Sequence, residues 1–312
     1  MPARLAFSLV DAFSAGPYTG NPAGVVLDAG TLNDAQMQAI AREINASETA
    51  FLARGSGAEA PRLRWFTPRC EVSFCGHATL ATAHALHALD AALGDPREPA
   101  WTASFSSSAG RLVVRAEPDP ADPRQLHFWL EMPPPQLSPD QTNPMRTCEL
   151  LGLSIDDVDP ATPIMRTRDD DLIVLVKSWH TLMGARPRFA ELAEWCTQHN
   201  LRGVCAATTH TLSPSIQVHS RFFAPASGVN EDPVTGSVHG PLAMLLVINH
   251  MVPVAGARAA LNCLQSEAGG RSGLVHVLVE SRPDGYHATI GGRCDTVLTG
   301  TLVAPPVESP AV

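Results

Sequence analysis

Arg64-Trp65-Phe66-Thr67-Pro68, running on to Cys75-Gly76-His77-Ala78, returns 157 positions later as Arg221-Phe222-Phe223-Ala224-Pro225, running on to Thr235-Gly236-Ser237-Val238. Each copy reads as a strand, a loop, a small-residue turn and a buried helix. The first helix is rich in Ala, Leu and His, and the second contains the apolar stretch Leu242 to Ile248. The loop of the second copy is three residues longer, counted from Pro to Gly. A unit of this kind in each half of a chain predicts two similar domains.

Both helices begin at a Gly followed by a polar residue. The first amides of a helix have no partners within it, and the aligned peptide dipoles make that end weakly positive. Two such ends facing one cleft would receive an anion, most simply a carboxylate. The plainer alternative is that Gly76 and Gly236 permit tight turns and Ser237 caps its helix. The repeat, taken with the acidic residues Glu48 and Asp232, favours the anion site.

Working outward, residues 6–13 and 24–27 read as strands around a Gly/Pro turn at 16–24, and Thr31 to Ile44 as a helix capped by Asn33 or Thr31. Asn45-Ala46-Ser47 breaks that helix, and Glu48 to Leu52 resumes as a strand. Leu63 to Phe66 is a strand and Ala78 to Leu89 a helix. Thr102 to Phe105 and Arg111 to Ala116 form a hairpin turning near Ala109-Gly110. The stretches 117–124 and 132–144 are Pro-rich loops, and between them His127 to Glu131 alternates like a strand that opens the second domain. The domain boundary is expected at 125, so that a first domain of 1–125, completed by a strand near 296–304, precedes a second of 126–295. Further strands are expected at 172–176, 203–207, 216–223, 275–280 and 286–290, with an amphipathic helix over 188–198 and a Pro-rich end. The result is an α+β chain with no regular βαβ alternation and no dinucleotide-binding glycine fingerprint.

Composition bounds the function. At 312 residues, 45% hydrophobic and 17% charged, the chain can build two ordinary cores. A net charge of −9 and a pI near 5.7 exclude a nucleic-acid role, which needs clustered Lys and Arg. The opening residues lack a secretory core, and no apolar run approaches the ~20 residues that span a bilayer. A cytoplasmic protein is expected, with no membrane partner. Seven cysteines at irregular spacings, without a CxxC pair, support neither a disulfide framework nor structural zinc.

Three residues carry chemistry. Glu48 opens a strand otherwise made for burial. In a partly apolar cleft, desolvation would raise its pKa toward the range useful for proton transfer, whereas on an edge strand it would sit in solvent. Asp232 precedes Pro233, which holds it extended just ahead of the second helix. His77 follows Gly76 at the start of the first helix, where a neutral imidazole can exchange a proton or bind a carboxylate. The spacing of His77, His84 and His87 fits no usual metal-ligand pattern, and no metal is expected.

The segments Gly20-Asn21-Pro22-Ala23-Gly24-Val25-Val26, Ser47-Glu48-Thr49-Ala50-Phe51, Arg64 to Pro68, Cys75 to Ala81 and Glu231 to Ser237 resemble, in order and spacing, the signatures of the phenazine-biosynthesis (PhzF-like) isomerase family. Gly270-Arg271-Ser272 and Ile290-Gly291-Gly292 resemble its later landmarks, so the resemblance covers nearly the whole chain. It implies a diaminopimelate-epimerase-like fold of two similar domains, each wrapping a strongly curved sheet around a central helix, with the active site between them. It further implies that Glu48 shuttles a proton between carbons of a cyclic dihydro-hydroxyanthranilate. On the same resemblance His77, Asp232, Gly76 and Ser237 line a small carboxylated substrate, and Gly236 and Ser47 are expected to join them in binding it. No metal or organic cofactor is implied, and a homodimer is usual.

Relatives in the wider superfamily use two thiols, one on each side of a carbon. Here Thr235 stands where the second copy would need a counterpart of Cys75, so a symmetric two-cysteine racemase is not expected. Cys75 itself is either a reactive thiol or a packed small residue. The expected function is therefore a cofactor-independent isomerase using one Glu as acid and base; a lyase or tautomerase would begin with the same proton abstraction. The alternative class is a non-catalytic member that binds a ligand or a protein, and the joint presence of Glu48, His77, Asp232 and Ser237 favours the enzyme.

Overall fold

The computed structural model describes residues 4–55, 59–92, 101–119, 122–267 and 269–306. The chain divides into two compact units, one of Met1–Glu131 with Gly292–Val312 and one of Met132–Gly291. In the first, β1 (Arg4–Ala12) pairs antiparallel with β2 (Asn21–Leu27), and α1 (Asp34–Ile44) carries the chain to β3 (Glu48–Ala53), parallel to β2. Next, β4 (Arg62–Phe66) runs antiparallel to β3, and a two-residue strand β5 (Glu71–Val72) turns back along it. After α2 (Gly76–Ala92), β6 (Trp101–Ser107) lies parallel to β4, and β7 (Gly110–Pro118) and β8 (Leu126–Glu131) complete an antiparallel meander.

The second unit repeats this plan. It opens with β9 (Leu137–Pro139), α3 (Pro144–Leu150), β10 (Met165–Thr167) and β11 (Asp171–Leu175). Helices α4 (Trp179–Gly184) and α5 (Phe189–Gln198) then make the crossover to β12 (Gly203–Thr208), parallel to β11. A long strand β13 (Val218–Ala224), a short return strand β14 (Val229–Asp232) and α6 (Gly236–Ile248) match β4, β5 and α2. Then β15 (Arg258–Ser266) lies parallel to β13, and β16 (Ser272–Arg282) and the first part of β17 (Gly285–Val303) complete the meander. Residues 294–303 of β17 pair with β1, as β9 pairs with β10. The architecture is α+β and epimerase-like.

Each unit is organised around one helix. The residues of α2 are buried from Gly76 to Ala83, and the helix packs against β1, β2, β3, β7 and β8. The residues of α6 are buried without a break from Gly236 to Val247. A helix with no polar face belongs in the middle of a core, and a sheet must curve to cover it on several sides. On the outer face of the first sheet, Met37, Ile40 and Ala41 of α1 pack on Val26, Phe51 and Phe66.

Several details differ from the sequence expectation. The strand at 126–131, expected to open the second domain, belongs to the first unit because its partner is β7. The strands expected at 286–290 and beyond 296 are one continuous strand, β17. Of the loop expected over 117–124, residues 120–121 lie outside the described residues, and Glu117 and Pro118 extend β7. The expected Pro-rich end lies outside them from 307 onward. The strand β15 went unread because its buried positions, which include Ala259 and Gln265, give a weak alternation.

Among the described residues no helix is long and apolar enough to cross a membrane. None of the seven cysteines is in a disulfide, and only Cys70 is exposed. Burial pushes the thiols of Cys205, Cys263 and Cys294 far up, which makes them inert packing groups.

One polar group is sealed inside the second core. The His239 ring donates from Nδ1 to the carbonyl oxygen of Thr235 at 2.7 Å, so Nε2 is the acceptor for the Ser220 hydroxyl at 3.0 Å. Both ring nitrogens are satisfied in the neutral state, and burial pushes the imidazole down to about 4. The unfolded chain takes up this proton below about 6.5 while the folded chain refuses it until about 4, so the stability is intact above 6.5 and lost as pH falls between those values. Between pH 7 and pH 5 the loss from this group is about 2 kcal/mol. Urea titrations at the two pH values should show a clearly smaller drop in His239→Gln than in wild type; an equal drop would sink the assignment.

Candidate active site

Glu48 owes its position to the end of α1. Asn33 caps the start of that helix in a reciprocal box with Gln36 (2.9 and 3.1 Å). Asn45 ends it in the left-handed conformation, with φ of 55°. Ala46 and Ser47 then deliver Glu48 as the first residue of β3. This strand is central, with β2 on one side and β4 on the other, so the edge-strand alternative does not hold. Thr49 to Leu52 behind it are buried, while the Glu48 side chain keeps one-fifth of its surface exposed.

The start of α2 supplies the facing group. His77 Nε2 lies 3.4 Å from Glu48 Oε2, and the ring is almost wholly buried. On its other edge, Nδ1 is 3.4 Å from Cys75 Sγ and 3.5 Å from Asn21 Nδ2. Both of those neighbours can donate a proton to nitrogen, so they favour the tautomer that carries its hydrogen on Nε2, toward the carboxylate. Asn21 also accepts from the Ser47 hydroxyl at 3.1 Å, joining the two segments that carry Glu48 and His77. Gly20 makes this possible: its φ is +73°, and a Cβ there would stand 2.2 Å from the carbonyl oxygen of Ala12.

The repeated Arg-x-Phe motif is a clasp. Arg64 bonds both oxygens of Glu71 at 2.7 Å and lies over the Phe66 ring. In the second unit Arg221 bonds both oxygens of Glu231 at 2.7 and 2.8 Å and lies over Phe223. Each clasp fastens the short return strand to the long one, and so fixes where the chain stands when it enters α2 or α6.

In the second unit Thr235 precedes α6 but its side chain does not cap the helix; its hydroxyl donates instead to Asp232. Gln265 accepts from the Thr235 amide at 2.9 Å and donates to the Asp232 carbonyl at 2.7 Å. Ser237 Oγ accepts from Arg202 at 2.9 Å, so the serine is not a cap either. Arg202 in turn holds the buried Asp171 through both carboxylate oxygens. Burial pushes that carboxyl up, against the pull of the guanidinium beside it.

The profile of the family described as phenazine biosynthesis-like protein matches residues 10–300. The chain belongs to that family. It is 35% identical to the uncharacterized isomerase YddE of Salmonella typhimurium over 91% of this chain and 93% of that protein. It is 38% identical to an uncharacterized isomerase of Pseudomonas aeruginosa over 94% and 96%. The phenazine biosynthesis protein of the PhzF family from Bacillus anthracis superposes with a TM-score of 0.84 at 25% identity, over 96% of this chain and 99% of that one. A hydroxyproline epimerase from Agrobacterium vitis shares the fold alone, with a TM-score of 0.63 at 12% identity, over 99% of this chain and 95% of that one. The chain is thus an isomerase of the phenazine biosynthesis-like family, with the fold also found among epimerases.

Strand register shows how this family member's two units differ. Thr49 pairs with Phe66 in β3–β4, and Val204 with Phe223 in β12–β13. The position equivalent to Glu48 is therefore Gly203, and those of Cys75 and His77 are Thr235 and Ser237. A Cβ on Gly203 would stand 2.7 Å from both the Phe222 ring and the Phe223 carbonyl oxygen, so that strand has no room for an acid. The acid, thiol and imidazole all belong to the first unit.

The expected residues thus fall in two sets. Glu48, His77, Gly76 and Ser47 come together in the first unit, with Gly76 as the first residue of α2. Asp232, Gly236 and Ser237 cluster at the start of α6. Sequence reasoning missed Asn21, Arg202, Asp171 and Gln265. For Asn21 a signal existed, its place between Gly20 and Pro22 in a motif of the family. The other three had none. For Gly203→Ala a loss of about 1–3 kcal/mol is expected from overpacking, read as a lower urea midpoint. Unchanged stability would show that the strand has room after all.

Proposed function

We propose that this isomerase works without a cofactor, with Glu48 taking a proton from one carbon of a small carboxylated substrate and returning it to another. The observation that carries the reading is the placement of Glu48 at 3.4 Å from a buried His77, beside the start of α2, with a glycine at the equivalent place in the second unit. A single flexible carboxylate that removes and returns the proton needs no second base.

His77, with its hydrogen on Nε2, steadies Glu48 or relays its proton. The amides of Gly76 and His77, and those of Gly236 and Ser237, recognise the substrate carboxylate and hold negative charge as it develops. Asp232 positions substituents of the substrate, and Ser47 supports the site through Asn21. A cyclic dihydro-hydroxyanthranilate-like acid is one skeleton that meets these demands, because the proton leaves a carbon next to an unsaturated, carboxylate-bearing centre.

Deuterium exchange from D₂O into a panel of unsaturated, amino and hydroxy carboxylates, read by mass spectrometry, tests the proposal. One compound should take up deuterium with wild type. In Glu48→Gln the rate should fall by about 10²–10⁴-fold with binding largely kept. Ser237→Ala should weaken binding and retain exchange, since the backbone amide remains. Exchange that survives in Glu48→Gln would remove Glu48 from the mechanism.

A further inference from the structure

Proton transfer uses Glu48 and His77 but assigns nothing to Cys75, the buried thiol on the other edge of the same imidazole. Sulfur, nitrogen and carboxylate oxygen, one atom from each of Cys75, His77 and Glu48, all lie within 4.8 Å of one another. We propose that these three side chains form a capture site for a single thiophilic divalent ion, Zn²⁺ or its analogue Cd²⁺, distinct in purpose from turnover.

The donor set chooses the ion. Thiolate and imidazole favour zinc-group metals over Mg²⁺ and Ca²⁺, which prefer all-oxygen shells. Three protein ligands with a fourth position open is an established zinc stoichiometry. With metal–sulfur and metal–nitrogen bonds of about 2.3 and 2.0 Å, tetrahedral donors stand roughly 3.3–3.7 Å apart. One ring nitrogen takes the ion, and Nδ1 already stands at that separation from Cys75 Sγ, at 3.4 Å. The carboxylate, the most exposed of the three, then swings from the Nε2 edge of the ring to close on the ion.

Two features make the site specific. Asn21 stands on the Nδ1 side of His77 and is tied to Ser47 beside Glu48, so ring and carboxylate are held near one another before any ion arrives, and Nδ1 exchanges its Asn21 contact for the ion. The second unit has Gly203, Thr235 and Ser237 at the equivalent positions and offers no soft donor there, so one ion per chain is expected.

Titration of metal-free full-length protein with Cd²⁺, monitored by the ultraviolet thiolate-to-metal charge-transfer band and by calorimetry, tests the site. Wild type should bind one Cd²⁺ per chain with the band. Cys75→Ser should abolish the band, and Cys70→Ser, which removes the exposed thiol, should leave it. Glu48→Gln and His77→Asn should each weaken binding at least about tenfold, the scale seen even for outer-shell losses. Absence of the band in wild type, its survival in Cys75→Ser, or wild-type affinity in Glu48→Gln would overturn the proposal. If circular dichroism shows Cys75→Ser unfolded, the Glu48→Gln affinity decides. The readout is absorbance rather than turnover, so a failure of the metal site and a failure of the isomerase mechanism are separately visible.

Discussion

The pairing of an arginine fork with a glutamate across a short return strand is the constraint on which each unit rests. A two-residue strand such as β5 has little hold of its own, since one or two ladder bonds scarcely offset the entropy of ordering the loop before it. Two parallel charge-assisted bonds at 2.7 Å supply that hold and a direction. The central helix starts a few residues beyond the strand, so the fork decides where the helix dipole begins. The two clasps are not equal. Arg64 is largely buried but meets a Glu71 that is two-fifths exposed, so its hold is the weaker one, whereas Arg221 and Glu231 are both largely buried. The buried guanidinium also donates to the carbonyls of Leu182 and Ala185 at the end of α4, so its removal would strand several partners at once.

The duplicated framework carries unequal chemistry. Topology is preserved strand for strand, because curvature around an apolar helix leaves few ways to order the sheet. Side chains at the helix starts are free of that demand. In the first unit they form a titratable cluster of acid, thiol and imidazole. In the second they form a fixed polar lattice in which Asp171, Arg202 and Ser237, and Asp232, Thr235 and Gln265, hold one another. One unit gathers an acid, a thiol and an imidazole at its helix start, and the other ties its polar groups to one another.

Much of this was legible in the sequence, for reasons that can be named. The repeat exposed the duplication because Arg64 and Phe66 are constrained together, by the carboxylate on one side and the ring face on the other. Glu48 stood out because a carboxylate opening a buried strand is costly without a purpose. Glu71 did not, since an acidic residue in a loop carries no mark of its partner. Arg202 and Asp171 are 31 residues apart and meet only through the parallel pairing of β11 and β12, which no local pattern announces. The boundary was misplaced for a similar reason. Whether β8 belongs to the first unit or the second is settled by the ladder it joins, not by its own composition.

The path of β17 has a consequence for how the protein is made. Residues 132–291 form a contiguous unit, whereas β1, early in the chain, waits for residues 294–303 to serve as its neighbour. On a translating ribosome the first-made segment therefore remains an open sheet, with one backbone edge unsatisfied, through the synthesis of the entire second unit. Its α1-facing side is apolar, with Leu5 and Phe7 among its buried residues. The order of completion is thus the reverse of the order of synthesis, and the exposed edge of β1 is the place where a chaperone would find this nascent chain vulnerable.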